Sequence, residues 1–253
     1  MTAMPGRLRK SLSEANYASL ILEILVVILG ILIAFQIDRW TEQRREHNLE
    51  YEYLQRLSGD LRFEISNMKH GIATAEYRIE TVRFLESVTQ NPSLAVEEPG
   101  TLLIALEKVS WYSFPKIDGF VYYELQNTGS LSVIRSEALR RVLADYYTRI
   151  RGHERIAFER DIQIRYDQAV AGILTTDELM YVEYGTSVDG TNAVMPERAL
   201  EIAEQLSRRR PALDLLPSIA QYHIFTRKVI GEDREIAKKA VAIIDELIGE
   251  FEN

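Results

Sequence analysis

The sequence has no cysteine and comparatively little positive charge. Without cysteine the 253-residue chain forms no disulfide bond, and this absence is compatible with either side of a membrane. The 30 lysine and arginine residues are outnumbered by 38 aspartate and glutamate residues, which gives a formal net charge of −8. A nucleic-acid-binding domain usually carries a basic face, so this balance argues against a nucleic-acid partner. The tight basic cluster at residues 208–210 is interpreted as a solvated helix end before Pro211.

The motifs that usually reveal enzymes and metal sites are also missing. The histidines are scattered, and none belongs to a Glu-x-x-His pair of a di-iron bundle or to a His-Glu-x-x-His zinc motif. Glycine-rich phosphate-binding loops are absent as well. Ser187 lies in a segment that lacks the second glycine of a nucleophile elbow, so we interpret it as a turn residue. The sequence therefore predicts a non-enzymatic protein with no catalytic residue, cofactor or bound metal.

What the sequence does contain is a long apolar run over residues 17–35, interrupted by a single charge. A helix that spans a bilayer needs about 20 mostly apolar residues. This run is apolar on nearly every face, unlike a helix at the edge of a soluble core. We predict a transmembrane helix over residues 17–37, with Tyr17, Gln36 and Trp40 as interfacial anchors. A cleaved signal peptide fits less well, because the run offers a poor cleavage site at its end.

Basic residues flank the predicted span on both sides. Arg7, Arg9 and Lys10 precede it, and the arginines that follow it are mixed with acidic residues. A short basic segment before a first span favours a cytoplasmic N-terminus. We therefore predict that residues 1–16 are cytoplasmic and that the large C-terminal part lies outside the cytoplasm.

The single charge in the span, Glu23, lies on a stripe of mostly small residues. At 100° per residue the stripe comprises Ser19, Glu23, Val26, Gly30 and Ala34. Small residues let helices approach closely, and a carboxyl among them can hydrogen-bond a neighbouring helix. The favoured interpretation is therefore a helix–helix contact face held by Glu23. Two alternatives stay open: Glu23 lines an ion path in a ring of subunits, or it pairs with a basic residue of a partner's helix.

The sequence after the span predicts an all-α fold. Apolar residues recur every three or four positions from Leu54 to Val82, which is typical of a long stalk or coiled-coil helix over residues 38–90. Residues 91–253 are predicted to form a helical bundle domain that packs on the stalk. The predicted architecture is an N-terminal transmembrane helix that continues into a long helical stalk, packed antiparallel in this bundle.

Local signals divide the first half of the bundle domain. Helices are predicted over residues 101–112 and 119–127, and Gly129 favours a left-handed end to the second of them. Ser136 can cap a further helix that runs to about residue 174 and pairs antiparallel with the stalk. Aromatic residues between 111 and 123 are interpreted as a core cluster, and charged residues between 149 and 161 as a solvated face.

The second half is punctuated by glycine and proline. In residues 179–194 the stretch 181–184 alternates and several turn formers follow it, which predicts a structured loop or a small hairpin. Pro196 is expected to start another helix. Pro211 and Pro217 bracket a predicted kink, and a last helix runs to about residue 250.

Two patterns stand out beyond these periodicities. In the span, Glu23, Gly30, Gln36 and Trp40 lie in the order Glu…Gly-Ile-x-Ile-Ala-x-Gln…Trp. Farther along, the pattern Leu-x-x-Thr-Gly-x-Leu-x-x-Ile is formed by Leu125, Thr128, Gly129, Leu131 and Ile134.

Together these patterns resemble a family of uncharacterised bacterial single-pass inner-membrane proteins, known only as a domain of unknown function. The resemblance implies a bacterial inner membrane, a periplasmic C-terminal domain and no particular activity. It marks the two quoted sets of residues as the matching membrane and soluble positions. This chain departs from the family at Leu22, where glycine is usual, and at residues 38–39, where asparagines are common. The bulkier Leu22 affects how closely a second helix can pack beside Glu23.

Three function classes agree with this sequence. The first is a membrane-anchored, non-enzymatic scaffold or assembly subunit that acts through oligomerisation or through contacts with a partner helix. The second is a homo-oligomeric pore subunit with Glu23 facing the conduit. The third is an extracytoplasmic ligand-sensing domain that needs a separate transducer. The expected partners are the lipid bilayer and either further copies of the chain or another membrane protein.

Overall fold

The fold is all-α, as the sequence predicts. A computed structural model of the chain describes the backbone of residues 6–111, 114–153, 158–185 and 195–252, and the side chains of these residues except 6–21, 153, 158–159 and 252. Every regular element in these ranges is helical. The helices are α1 (Gly6–Gln90), α2 (Leu94–Glu97), α3 (Pro99–Lys108), α4 (Phe120–Asn127), a 3-10 turn (Ser130–Val133), α5 (Glu137–His153), α6 (Phe158–Val170), α7 (Thr176–Tyr184), α8 (Pro196–Ser207), α9 (Arg210–Leu213) and α10 (Leu216–Glu252).

The chain divides into two compact units, and the first is Met1–Tyr53. Its large apolar side chains from Leu22 to Trp40 are all about half exposed, between 47% and 63%. No helix in the part of the chain that the structure describes combines the length and the hydropathy needed to cross a membrane. The predicted span begins at Tyr17, and the side chains of Tyr17 and Ser19 lie outside the described residues.

The second unit, Leu54–Asn253, is built around a helix pair. Arg62 of α1 bonds Asp245 of α10 at 2.7 Å, whereas Glu76, farther along α1, accepts a bond of 2.7 Å from Arg227, which lies earlier on α10. Along the contact, residue numbers therefore increase on α1 while they decrease on α10, which shows that the two helices are antiparallel. The antiparallel partner of α1 is thus the last helix, and the prediction that a helix over residues 136–174 takes this place is wrong.

Within that predicted helix the structure describes α5 and α6, and residues 154–157 between them lie outside the described part of the chain. α6 ends at Val170, earlier than predicted, because Gly172 adopts a left-handed φ of 79°. The prediction that the charged residues between 149 and 161 form a solvated face is wrong for Arg149. Arg149 donates to Asp233 on α10 at 2.9 Å, and Asp233 is buried, so this pair holds α5 against α10.

The apolar periodicity of α1 forms its core face. The side chains of Leu54, Leu57 and Leu61 are fully buried. Full burial of one such side chain stabilises the fold by about 2 kcal/mol relative to exposure. Toward its C-terminal end the same face joins a cluster contributed by α3, α6, α8, α9 and the start of α10. The predicted seam is therefore confirmed as a packing surface inside the second unit.

Most local signals are confirmed. Gly129 has a φ of 71° after α4, and the hydroxyl of Ser136 accepts a bond from Leu139 N at 3.2 Å. Pro196 lies in the first turn of α8. The loop predicted over residues 179–194 is wrong up to Tyr184, because α7 continues that far.

The start of α7 explains this error. The hydroxyl of Thr175 accepts from Glu178 N, and the Glu178 carboxylate accepts from Thr175 N, so a capping box begins the helix. The rest of the predicted loop, residues 186–194, lies outside the described residues together with Ser187.

Candidate functional site

A buried carboxylate on α1 organises the polar centre of the second unit. Asp60 and Glu64 are one turn apart, and both accept hydrogen bonds from the start of α4. Asp60 accepts from Val121 N at 3.0 Å, and Glu64 accepts from Gly119 N, also at 3.0 Å. The first N–H groups of a helix have no partner within the helix, and its dipole favours negative charge there. Two side chains of α1 therefore cap α4.

Two consecutive tyrosines of α5 complete the surroundings of Glu64. The Tyr146 hydroxyl donates to Glu64 Oε2 at 2.9 Å, and the Tyr147 hydroxyl lies 3.3 Å from the same oxygen. Both tyrosines are fully buried, and Glu64 is 3% exposed. Tyr122 of α4 stacks on Tyr147 with ring centroids 4.4 Å apart. We call Glu64, Tyr146 and Tyr147 the carboxyl–tyrosine cluster.

The cluster holds a carboxyl that changes charge near neutral pH. Burial raises the pKa of Glu64 to about 7, and the charge of Asp60 raises it further, against the lowering effect of the bonds from Tyr146, Gly119 and Tyr147. Burial also raises the pKa of both tyrosines far above the ordinary value, so their hydroxyls stay protonated and donate. The arrangement can take up or release one proton.

A small cavity connects this cluster with the surface. It encloses about 190 Å³ and is lined by Asp60, Phe63, Glu64, Lys116, Asp118, Gly119 and Phe120. Phe63 and Phe120 flank it with exposures of 66% and 70%. Lys116 and Asp118 form an ion pair of 2.9 Å at the same cavity.

Only glycine fits at the start of α4. Gly119 has a φ of 56°, and a Cβ there would lie 2.6 Å from Tyr147 Cε1 and 2.8 Å from Tyr123 Cε2. We expect Gly119→Ala to lower the free energy of unfolding by about 3 kcal/mol, from left-handed strain plus overpacking. Gly129→Ala is the matched control, since Gly129 has a φ of 71° but open space around it. That control should lose only about 1–2 kcal/mol in urea unfolding. Equal losses would show that the tyrosine rings do not confine Gly119.

The predicted motif around residue 128 supports this site from the other end of α4. Leu125 and Ile134 are fully buried, and Leu131 is half-buried. The Thr128 hydroxyl donates to the Glu124 carbonyl at 2.8 Å, and Gly129 makes the left-handed turn. The motif therefore ends α4. Its residues affect the carboxyl–tyrosine cluster indirectly, because they hold α4 in place.

In the first unit, the described members of the predicted contact stripe are exposed: Glu23, Val26, Gly30 and Ala34. Gln36 and Trp40 are exposed as well. The Arg44 guanidinium lies 5.2 Å from the centroid of the Trp40 ring.

The aromatic core predicted between residues 111 and 123 is partly wrong. Tyr122 is buried, but Phe120 is exposed and Trp111 is 37% exposed, with Lys108 Nζ 3.4 Å from its ring centroid. Tyr112 lies outside the described residues. The aromatic core is completed by Tyr146 and Tyr147, more than 20 residues farther along the chain.

The carboxyl–tyrosine cluster was not predicted from the sequence, although one signal for it is present. Residues 54, 57, 61, 64 and 68 follow the alternating spacing of three and four that marks the core face. Glu64 is the acidic residue in that series, at a position where burial is expected. No group of three or more histidine, aspartate or glutamate side chains suited to a metal ion occurs among the described residues.

Comparison with known proteins adds no identification. No family model, curated protein or solved structure matches this chain.

Proposed function

We propose that this chain is a membrane-anchored, non-enzymatic assembly subunit. In this proposal the N-terminal helix lies in a lipid bilayer, and the second unit offers helical surfaces to further copies or to another membrane protein. The observation that carries the proposal is the apolar surface between Leu22 and Trp40, which is exposed on every side of α1. Soluble monomers rarely expose contiguous apolar patches larger than a few hundred Å².

The lipid bilayer is the occupant that fits this surface. A protein partner covers one face of a helix, whereas the large apolar residues here are exposed at consecutive positions all around it. The apolar run over residues 17–35 has 19 residues, about the 20 that span a hydrocarbon core. Trp40 and Arg44 at its end are residue types favoured at the interface. The basic residues before the span favour a cytoplasmic N-terminus, and the family resemblance favours the bacterial inner membrane.

Within the bilayer, the proposed contact between chains is the stripe that contains Glu23 and Gly30. A Cβ added at Gly30 meets no atom within 4 Å inside the chain, so a larger side chain there leaves the single helix undisturbed. Contact with a second helix would be blocked, because small residues are what permits close approach.

We expect the full chain in mild detergent to form a discrete oligomer and Gly30→Ile to weaken it at least tenfold. The measurement is the mass by light scattering across a range of protein-to-detergent ratios. Gly59→Ile is the matched control, since Gly59 is exposed in the second unit and has open space for a Cβ. A monomeric wild type, or an oligomer that Gly30→Ile leaves intact, would rule out this stripe as the contact.

A further inference from the structure

The cavity beside the carboxyl–tyrosine cluster combines carboxylates with two phenyl rings. Phe63 of α1 and Phe120 of α4 both line it. Glu64 follows Phe63 in the chain, and Gly119 precedes Phe120. The bond of 3.0 Å from Gly119 N to Glu64 therefore holds the two phenylalanines at the same cavity.

The negative charge at this cavity has no counter-charge. In the part of the chain that the structure describes, Asp60 and Glu64 accept hydrogen bonds only from backbone N–H groups and tyrosine hydroxyls, which are uncharged. Lys116 also lines the cavity, but it is paired with Asp118 at 2.9 Å, and its side chain is 86% exposed. Glu64 itself is 3% exposed. A buried carboxylate without a cation either takes up a proton or binds a positive ligand.

The two phenyl rings indicate which kind of cation fits. Phe63 and Phe120 are 66% and 70% exposed, which is unusual for side chains that gain most from burial. A hydrated metal ion would leave these rings in water, whereas the carbon chain of an organic cation would cover them. Phenyl faces also attract positive charge. The cation that matches both features is therefore organic.

The size of the cavity limits the ligand. Its volume is about 190 Å³. One water molecule takes up about 30 Å³ in the liquid, so the cavity has room for about six non-hydrogen atoms. A short carbon chain that ends in an ammonium group has this size. An ammonium group also carries three N–H donors, which suits two neighbouring carboxylates.

We propose that this cavity binds a primary alkylammonium group, either of a small free amine or of a lysine side chain. The ammonium group donates to the carboxylates of Asp60 and Glu64. The carbon chain lies between Phe63 and Phe120 and shields both rings from water.

The binding should depend on pH through Glu64. Burial raises the pKa of this carboxyl to about 7, so a ligand that needs it ionised must displace a proton at pH 6 but not at pH 8. An alkylammonium has a pKa near 10 and stays charged at both values. The affinity should therefore rise several-fold from pH 6 to pH 8. The groups that face Glu64 or line the cavity beside it are Asp60 of α1, the Gly119 N–H, Tyr146 and Tyr147 of α5, and the pair of Lys116 and Asp118.

The test is isothermal titration calorimetry of the full chain in mild detergent at pH 8 and constant ionic strength. The probes are pentylammonium, Nα-acetyl-lysine methylamide, 1-pentanol and potassium, each used alone. Pentanol keeps the shape of pentylammonium without its charge, and potassium keeps the charge without the chain. We expect saturable binding of pentylammonium or of the lysine derivative, and the stronger of these two arms tells a free amine from a lysine side chain. Pentanol and potassium should bind at least tenfold more weakly. Absence of binding by both amines, or equal binding of pentanol or potassium, would overturn the proposal.

Charge variants test the contact with the ammonium group. Asp60→Asn keeps an oxygen that can accept from Val121 N, and it should weaken amine binding at least fivefold. Glu80→Gln is the matched control, because Glu80 is an exposed carboxylate of α1 that does not line the cavity. In Glu64→Gln the rise in affinity between pH 6 and pH 8 should disappear. A wild-type affinity that does not rise with pH would contradict the contact with Glu64.

Ring variants test the contact with the carbon chain. Phe63→Ala removes an exposed side chain, so it should leave the fold intact and weaken amine binding several-fold. Phe225→Ala is the matched control, since Phe225 is 48% exposed on α10 and does not line the cavity. Circular dichroism checks that each variant is folded, and Phe63→Ala decides the matter if Asp60→Asn is not. Binding that Asp60→Asn and Phe63→Ala both leave unchanged would also overturn the proposal.

Discussion

Replacing Leu25 and Ile28 by arginine together is expected to release most of the full-length chain from membranes. Both residues lie near the middle of the apolar run, on the face opposite the Glu23 stripe. An arginine at the centre of a spanning helix costs about 2.5–3.5 kcal/mol, so two of them cost about 5–7 kcal/mol. A loss of this size lowers the equilibrium constant for insertion about 10⁴–10⁵-fold, because each 1.4 kcal/mol is a factor of ten.

The measurement is flotation of membranes in a density gradient after an alkaline carbonate wash. Flotation separates inserted protein from aggregates, which also sediment. Wild type should float with the membranes, and the double variant should not. The matched control introduces the same two charges at Ile224 and Phe225 of α10, which are 54% and 48% exposed. Wild type that fails to float, or a double variant that floats like wild type, would disprove the anchor.

Glu64→Gln and His223→Gln are expected to change the pH dependence of stability in opposite directions. The folded pKa of Glu64 is about 7, above its ordinary value of 4.5. Its contribution to stability is therefore fully present below pH 4.5 and is lost as pH rises through 7. The folded pKa of His223 is about 4, below its ordinary value of 6.5. Its contribution is present above pH 6.5 and is lost as pH falls toward 4.

Each shift corresponds to about 3 kcal/mol, because one pKa unit is about 1.4 kcal/mol. Between pH 4.5 and 6.5 the two contributions have opposite slopes and largely cancel in the wild type. Glu64→Gln removes the falling contribution, so the stability of that variant rises more steeply with pH than that of wild type. His223→Gln removes the rising contribution, so its stability falls with pH instead.

Urea unfolding of the full chain in mild detergent, followed by near-ultraviolet circular dichroism at half-unit pH steps, measures both slopes. The groups that set the Glu64 titration are Asp60, Tyr146 and Tyr147, and Arg78 acts on His223. The double variant serves as the internal control, because its slope should be the sum of the two single changes. Parallel profiles for Glu64→Gln and wild type would mean that Glu64 is ionised throughout this range.

Helix ends that are determined by neighbouring residues could be predicted from the sequence. Contacts between helices, which are determined by residues distant in the sequence, could not. Gly129 and Ser136 act on their own neighbours, so their roles could be predicted from the sequence. The partner of α1 could not, because both the helix after Ser136 and α10 are long and amphipathic. The pairing of Arg62 with Asp245 and of Glu76 with Arg227 identifies α10 as that partner.

The candidate site could not be predicted either, because it also depends on residues that are distant in the sequence. Glutamate is mostly found at protein surfaces, although the position of Glu64 in the spacing of α1 is one of the core face. Its donors come from Gly119, Tyr146 and Tyr147, and no local pattern links those residues to residue 64. The raised pKa of Glu64 is a result of burial, which depends on the whole fold.

The capping of α4 also sets an order for the folding of the second unit during synthesis. Asp60 and Val121 are 61 residues apart, and Glu64 and Tyr146 are 82 apart. A helix of eight residues is not stable alone in water. We therefore expect α4 to become helical only when the residues that it packs against are present. As the polypeptide emerges, Glu64 stays hydrated and ionised until the ribosome has added the two tyrosines. The amide hydrogens of Gly119 and Val121 should therefore become protected from exchange together with α5, and not when α4 itself emerges.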